Sequence, residues 1–572
     1  MNAEALFNTD APQSFIINMN YKKLITELIN NPLVTENDIT LATEGHGDFA
    51  LPCFKYAREL RKAPQVIASD FASNLSERDF IDHVEVAGGY LNFYLSRKAR
   101  VEAVLANCAD KTSIKAVRAE NAGKTVCIDY SSINIAKPFH IGHLMSTAIG
   151  GSLYRIFKYL GWNAVGINHL GDWGTQFGKL LAAYNEWGDK SRPLTLNDML
   201  ALYVRFTEES EKNPELAERG RTEFLKIERG EPEAVKTYEL FKETTLAEVN
   251  KVYDRLGIKF DSYNGEAFYN DKMEPIIDEL NAKALTEVSD GALVVKLDEF
   301  GMPPCLITRS DGATLYATRD LAAANYRADT YRFDKSLYVV ATQQNLHFKQ
   351  VFKVLELMGR EWAKDLTHVQ FGMVSYEGKP LSTRHGHVVF LADVIQNTVD
   401  KARAIIEEKN PDLEDKNEIA ENVGVGAVMF FALGTGRIKD VDFAYDKVLS
   451  FEGETAPYLQ YTHARCRSVL AKGGDIGEVD CSLLTDDDSY AVIRHLDSYA
   501  DTVRDSASKY EPSVIARYLI DLAQLYNRFY ISGRIITEDK KLTFARLALT
   551  KAVADTLKEG MALLLINAPE KM

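Results

Sequence analysis

Asp129-Tyr130-Ser131-Ser132-Ile133-Asn134-Ile135-Ala136-Lys137-Pro138-Phe139-His140-Ile141-Gly142-His143 is the stretch on which the reading of this 572-residue chain turns. Before it, Thr125-Val126-Cys127-Ile128 is a short β-rich run of the kind that forms a buried parallel strand. After it, Ile141, Leu144, Ala148, Ile149, Leu153, Ile156, Phe157 and Leu160 recur at helical spacing. The order strand, loop, helix puts the polar loop at the carboxyl end of a strand, where doubly wound sheets bind ligands, and lends it the free NH groups of a helix start. His140 and His143 flank Gly142 where phosphates would sit. Imidazole NH groups can donate to charge that builds on a phosphate in a transition state, and a glycine lets a flat base approach the backbone. The bare four letters could equally cap a helix, with Gly142 serving close packing.

The surrounding letters favour the nucleotide. Ser131 to Thr147, Ser-Ser-x-Asn-x-Ala-Lys-Pro-Phe-His-x-Gly-His-Leu-x-Ser-Thr, resembles the first signature of class I aminoacyl-tRNA synthetases in its arginyl form. The resemblance covers nearly the whole chain and is strongest over Asp129 to Gly178, Thr314 to Gln350 and Phe371 to Asp393.

Bulk properties fit such an enzyme. The length suits on the order of three or four domains, and 46% hydrophobic with 26% charged residues is a globular composition. A net charge of −15 argues against a protein that coats nucleic acid, DNA included, by summed phosphate neutralisation, while leaving room for one specific RNA on a local basic surface. The six cysteines are dispersed without a C-x-x-C pair, so neither zinc nor a disulfide framework is indicated, which suits a cytoplasmic location. Met1 to Tyr21 lacks the order of a signal peptide, and the longest apolar run, Val425 to Leu433, is too short to span a bilayer.

Read in order, residues 1–118 form an appended α+β domain with helical patterning over Tyr21 to Leu28 and Ala57 to Leu75 and β-rich runs at Ile81 to Val86 and Tyr90 to Leu95. Its turn Gly45-His46-Gly47-Asp48-Phe49 and its run Gly88-Gly89-Tyr90-Leu91-Asn92-Phe93-Tyr94 resemble the N-terminal extension with which arginyl-tRNA synthetases touch the corner of the tRNA. Tyr90, Asn92 and Tyr94 would suit a stacked, hydrogen-bonded base; alternate members could instead fill a small core. Residues 119–448 read as a Rossmann-type parallel-sheet catalytic domain carrying an insertion at about 190–300, charged and helical from Leu194 to Leu256 and β-rich from Ala292, with a turn at Ser310-Asp311-Gly312. Residues 449–572 read as all helical, with helices over Glu454 to Ala471, Tyr490 to Arg504, Pro512 to Ile531 and Phe544 to Ile566. That third resembles the arginyl anticodon-binding domain, and Arg465, Arg467, Arg517, Arg528 and several tyrosines would supply charge and stacking.

Two more strand ends carry polar groups, Tyr316 and Asp320 at a strand-to-helix junction and Thr342-Gln343-Gln344-Asn345-Leu346-His347 after the strand Leu337 to Ala341. A guanidinium needs carboxylates that meet its fork and a wall for its stem. The resemblance implies that Asp129 and Asp320 bind the guanidinium beside Tyr316, and that Asn134, His140 and Gln344 hold the amino and carboxylate groups of arginine. The family commonly has Glu where this chain has Asp129, one methylene shorter, so that contact could be indirect. A lone Asp at a helix start is otherwise a cap.

Gly372 to Gly386 stands where class I synthetases carry Lys-Met-Ser-Lys-Ser, but the loop here is Lys379-Pro380-Leu381-Ser382-Thr383-Arg384, without the second lysine. Lys137 and Lys379, with Arg384 behind them, are the candidate cations for the pyrophosphate leaving group. ATP would be bound by His140, Gly142, His143 and Lys379, with main-chain groups at Met373 and Val374 reading the adenine. The resemblance thus implies an arginine–tRNA ligase that uses ATP with Mg²⁺ and no zinc or organic cofactor, has the arginine-accepting tRNA as partner, holds no metal-ligand set of its own, and acts as a cytoplasmic monomer. Two rivals are a catalytically silent RNA-binding paralogue and a ligase for another amino acid, separated by ATP/pyrophosphate exchange and by a substrate panel.

Overall fold

The computed structural model describes residues 21–43, 46–76, 78–310, 313–380 and 389–572. Residues 1–20, Gly45, the Asp311-Gly312 turn and the Leu381 to Arg384 part of the second signature, all read above from sequence, lie outside them.

The N-terminal unit is a four-stranded antiparallel sheet, order β1-β2-β4-β3, made of β1 (Thr40–Leu41), β2 (Phe49–Pro52), β3 (Ile81–Ala87) and β4 (Tyr90–Leu95). The two-residue link Gly88-Gly89 has φ of +58° and +91°, the left-handed pair that a tight hairpin needs. Helices Tyr21–Ile29 and Pro64–Ser73 bury Ile25, Ile67 and Phe71 against Leu51, Leu91 and Phe93 to close a small core.

The central sheet is parallel throughout, with order β11-β10-β5-β6: β5 (Thr125–Asp129), β6 (Asn163–Ile167), β10 (Lys335–Ala341) and β11 (Leu366–Phe371). Between β6 and β10 the chain inserts the helices Leu196–Lys212, Pro214–Glu228 and Pro232–Leu256 and a three-stranded antiparallel sheet of β7 (Glu287–Ser289), β8 (Ala292–Val295) and β9 (Cys305–Thr308). Every residue of β5 is buried, as a strand covered on both faces must be. Asp129 stands opposite Ile167 on β6 and Tyr338 on β10, so three strands end along one edge. Helix Leu144–Tyr159 covers one face of the sheet, and a Cβ on its Gly150 would fall 2.1 Å from the Cβ of Tyr130, an approach that only glycine permits. A last small sheet joins β12 (Val374–Tyr376), β13 (Lys379–Pro380) and β14 (Val441–Phe443).

The C-terminal third is helical. The stretch expected as one helix from Tyr490 to Arg504 is two, Asp487–Asp497 and Tyr499–Lys509. Ser498 separates them: its hydroxyl donates to the His495 carbonyl at 2.8 Å, and its backbone carbonyl accepts from the Thr502 hydroxyl at 2.9 Å, local bonds that compete with helix continuation. These helices share one continuous core with the catalytic sheet, Val126 and Leu153 belonging to the same cluster as Leu519 and Leu557. Arg100 fastens the N-terminal unit to the C-terminal one, with Asp48 at 2.8 Å and Asp497 at 2.9 Å. No described helix is long and apolar enough to cross a membrane.

Candidate active site

The loop after β5 is bent sharply. Ser131, Ser132 and Ala136 hold left-handed φ of +68°, +46° and +57°, each worth about 1–3 kcal/mol of strain in a non-glycine residue. The fold holds them there: Ser131 NH donates to the Ser146 hydroxyl at 2.9 Å, the Ser131 hydroxyl lies 2.7 Å from that of Tyr253, and Ala136 NH donates to Thr245 Oγ1 at 3.1 Å. Asn134 bridges to Gly171 in the loop after β6, where a Cβ on Gly171 would meet Asn134 Oδ1 at 2.5 Å. The glycine-rich run after β6 thus brings a second backbone against the first.

His140 caps the short 3₁₀ turn Ile141–His143, its Nδ1 accepting from Gly142 NH at 3.1 Å, and the ring of His143 lies 4.0 Å from its own, centroid to centroid. Burial lowers the pKa of both imidazoles; for His143, burial and then the charges of His140 and Lys137 take it down to about 3. Both rings are neutral at physiological pH and able to donate an NH. Lys137 and Lys379 are exposed to solvent. Ile141 NH donates to the Val389 carbonyl and Leu391 NH to that of Phe139, so the segment beyond the second signature is stitched to the first.

At the neighbouring edge sit four carboxylates. Asp129 accepts from Ser132 Oγ at 2.7 Å and is paired at 2.7 Å with Arg327, a guanidinium only 1% exposed that also lies 3.3 Å from His169 Nδ1. Asp172 is 3.0 Å from Lys242, and Glu266 is 3.7 Å from Arg319. Asp320, in the first turns of helix Tyr316–Tyr331, contacts His347 Nε2 at 2.5 Å. Burial would raise Asp320, but the hydrogen bond and charge of His347, with His169 and Arg327 behind, hold it below the usual carboxylate range. His347 is raised in turn, its contact with Asp320 outweighing burial. Glu266 is driven by burial to about 7, Asp172 and Asp320 adding to the rise against the pull of Arg319.

The structure therefore gathers Asp129, Asn134, His140, His143 and Asp320 at the carboxyl edge of the parallel sheet, with Gln344 exposed in the 3₁₀ turn that follows β10. Tyr316 opens its helix and is 69% exposed. Two of the candidate groups already have partners within the chain. The Asp129 carboxylate already carries an internal guanidinium. The Met373 backbone is also engaged, its NH donating to Asp440 at 2.7 Å and its carbonyl accepting from Val441 NH at 2.9 Å, which leaves its exposed side chain rather than its main chain toward solvent.

Glu266, Arg319, Arg327, His169 and His347 were given no role by the sequence. His169 and His347 follow β6 and β10, where the strand-end rule that singles out Gln344 would have found them. Glu266 carries no local signal, since it reaches the site only because its NH donates to the Leu170 carbonyl at 2.9 Å.

In the C-terminal unit Arg465 lies over the rings of Tyr461 and Tyr530, at 4.9 and 5.2 Å, and Ile531, 80% exposed, stands beside them. Arg467 is paired with Glu570, whereas Arg517 and Arg528 face solvent. Tyr490, Tyr499, Tyr518 and Tyr526 are core. On the N-terminal sheet, Phe54 and Tyr90 form an exposed edge-to-face pair at 5.2 Å while Asn92 is buried.

Residues 101–445 match the family described as tRNA synthetases class I (R), catalytic domain, residues 459–572 the DALR anticodon binding domain, and residues 18–95 the arginyl tRNA synthetase N terminal domain. The arginine–tRNA ligase of Alkaliphilus metalliredigens is 49% identical over 530 residues, covering 92% of this chain and 94% of its own. That of Halothermothrix orenii is 46% identical, covering 97% and 100%. Among solved structures, Thermus thermophilus arginyl-tRNA synthetase superposes with a TM-score of 0.79 at 27% identity, over 96% of this chain and 100% of its own. By the match of its catalytic, N-terminal and anticodon-binding segments alike, the chain belongs to the class I arginyl-tRNA synthetase family, the arginine–tRNA ligases.

Proposed function

We propose that the ligase reaction runs on the loop after β5 and the carboxylate cluster beside it. The substrate guanidinium meets Asp320, with Glu266 nearby and Asp129 acting through Arg327, and its stem lies along Tyr316. Asn134, His140 and Gln344 hold the amino and carboxylate groups. The arginine carboxylate attacks the α-phosphorus of ATP, pyrophosphate leaves, and the neutral imidazoles of His140 and His143 donate to oxygens on which negative charge grows. Lys137 and Lys379 offset the charge of the departing pyrophosphate; both are free to swing, as long exposed side chains. A terminal ribose hydroxyl of the tRNA then attacks the arginyl carbonyl and AMP leaves.

Gly142, Lys379, Val374 and the apolar side chain of Met373 flank the nucleotide. Mg²⁺ enters with ATP as the counter-ion of its phosphates. Among the described residues no three His, Cys, Asp or Glu side chains cluster so as to hold a metal. The functional division is 1–118 for the tRNA corner, 119–448 for chemistry and 449–572 for the anticodon, where Tyr461, Arg465, Tyr530 and Ile531 offer stacking and charge to unpaired bases. The enzyme works as a cytoplasmic monomer.

The observation that carries this reading is the pair of half-buried, neutral imidazoles, 4.0 Å apart between ring centroids, in the loop after a parallel strand whose last residue, Asp129, belongs to the carboxylate cluster. ATP/pyrophosphate exchange with tRNA present, run for each amino acid, tests it: exchange with arginine alone is expected, and exchange with none or with another amino acid overturns it.

A further inference from the structure

Of the four carboxylates at the arginine edge, three face a permanent cation among the described residues: Asp129 has Arg327, Asp172 has Lys242 and Glu266 has Arg319. The fourth, Asp320, has an imidazole. Arginine and lysine side chains stay charged through the whole working range of pH, whereas imidazole alone can be discharged at small cost. A fourth permanent cation, the substrate guanidinium, therefore has one place where its arrival need not expel or crowd another fixed positive charge.

We propose that His347 is the exchangeable counter-ion of Asp320: protonated in the empty pocket, it holds the carboxylate charged and in place, and it gives up its proton when the substrate guanidinium takes that position. This rests on the assignment of Asp320 to the guanidinium made above. The step balances: one proton leaves Nε2 for solvent, one guanidinium charge arrives, and the Asp320 carboxylate stays ionised throughout. The groups facing the pair are Arg327 on the same helix as Asp320, His169 after β6, Glu266 from the insertion, Cys305 on β9, Tyr338 on β10, whose phenol is pushed up to about 12 by burial, and His368 on β11, which meets His347 across the ring of Phe348. Arg327 is a fixed charge, while burial pushes the Cys305 thiol up to about 12 and the His169 imidazole down. Burial likewise lowers His368. Glu266 is the other group placed to exchange a proton on binding, so the two must be separated by experiment. His347 is a specificity-determining residue on this account: a ligand with no cation at that depth leaves the His347 proton, and the occupied carboxylate, where they are.

The test is calorimetric titration of L-arginine into the full-length enzyme with tRNA present and ATP absent, in buffers of differing ionisation enthalpy, which counts protons released. Wild type is expected to release protons. His347→Gln, which keeps an amide donor for Asp320, is expected to lose the His347 share of that release, and Glu266→Gln to lose only the remainder. Apparent affinity for arginine in wild type is expected to fall as pH falls through the His347 range, by up to about tenfold per pH unit for one linked proton, and to fall less steeply in His347→Gln. Release of the same number of protons by a His347→Gln enzyme that still binds arginine overturns the proposal. Should that variant fail to bind, the ¹³Cε1 resonance of His347 in wild type decides: protonated without arginine and neutral with it is expected, and protonated in both overturns it. Unchanged arginine affinity in Asp320→Asn would instead sink the assignment of Asp320 itself.

Discussion

Arg327 sets its guanidinium 2.7 Å from the carboxylate of Asp129, with both side chains shut away from solvent at the end of β5. The pair ties the helix that carries Asp320 to the strand that feeds the histidine loop, and Tyr338 on β10 lies under the guanidinium at 5.4 Å. The carboxylate at position 129 thus grips an internal cation, and in the proposed reaction its influence on the substrate passes through that cation.

Cutting this pair leaves an uncompensated buried charge. Arg327→Met is expected to destabilise the enzyme by about 3–5 kcal/mol, and Arg327→Met with Asp129→Leu to recover much of the loss, since removing both charges is far cheaper than stranding one. Thermal melts of the two variants check this; equal melting temperatures for the single and double variants would contradict it.

Glu266 gives a stability dependence on pH with a definite sign. Its folded pKa, about 7, lies above the unfolded value of 4.5, so between those values the folded state holds the extra proton and stability declines as pH rises. The decline amounts to roughly 3 kcal/mol, since each pH unit between the two values contributes about 1.4 kcal/mol. Denaturant melts from pH 4.5 to 8 should show a flatter profile for Glu266→Gln than for wild type.

Because burial and its neighbours hold His143 near 3, it stays neutral over the working range. His143→Ala is expected to lower the exchange rate by about 10²–10³-fold, as for loss of one oriented donor to a transition-state oxyanion, and His143→Asn to lose less. The acid limb of the wild-type pH–rate profile should carry no titration of His143. Exchange kinetics from pH 5 to 8 decide the point.

The exposed patch on the C-terminal helices belongs to RNA in this account. Tyr461→Ala and Tyr530→Ala are each expected to raise KM for tRNA by about 5- to 150-fold, the equivalent of one lost stacking contact of about 1–3 kcal/mol. KM for ATP should stay as it is. Charging kinetics at varied tRNA and at varied ATP separate the two.

Much of the fold was readable because its signals are local. Thr125 to Tyr159 announces strand, loop and helix by its own periodicity, and β6, β10 and the helix Ser513–Ser532 do the same. The break at Ser498 escaped, because apolar spacing continues across it while serine side chains rewire the backbone. Asp129 and Gln344, at strand ends, could be picked out by position, whereas Asp320, within the first turns of a helix, stood out through the family resemblance. Arg327 and Glu266 could not: Arg327 reads as one more charge on an amphipathic helix, and Glu266 comes to the site through a turn packed on Leu170. Pairing of charges from distant segments is a property of tertiary structure, and no spacing rule reports it.

In the proposed reaction Asp320 receives the substrate guanidinium. The most direct measurement is the KM for arginine in tRNA charging by wild type and Asp320→Asn, with folding checked by thermal melt. A rise of about 100-fold or more, for an interaction worth about 3 kcal/mol between a carboxylate and a guanidinium, with KM for ATP little changed, is predicted. A folded Asp320→Asn enzyme that charges with an unaltered KM for arginine would contradict it.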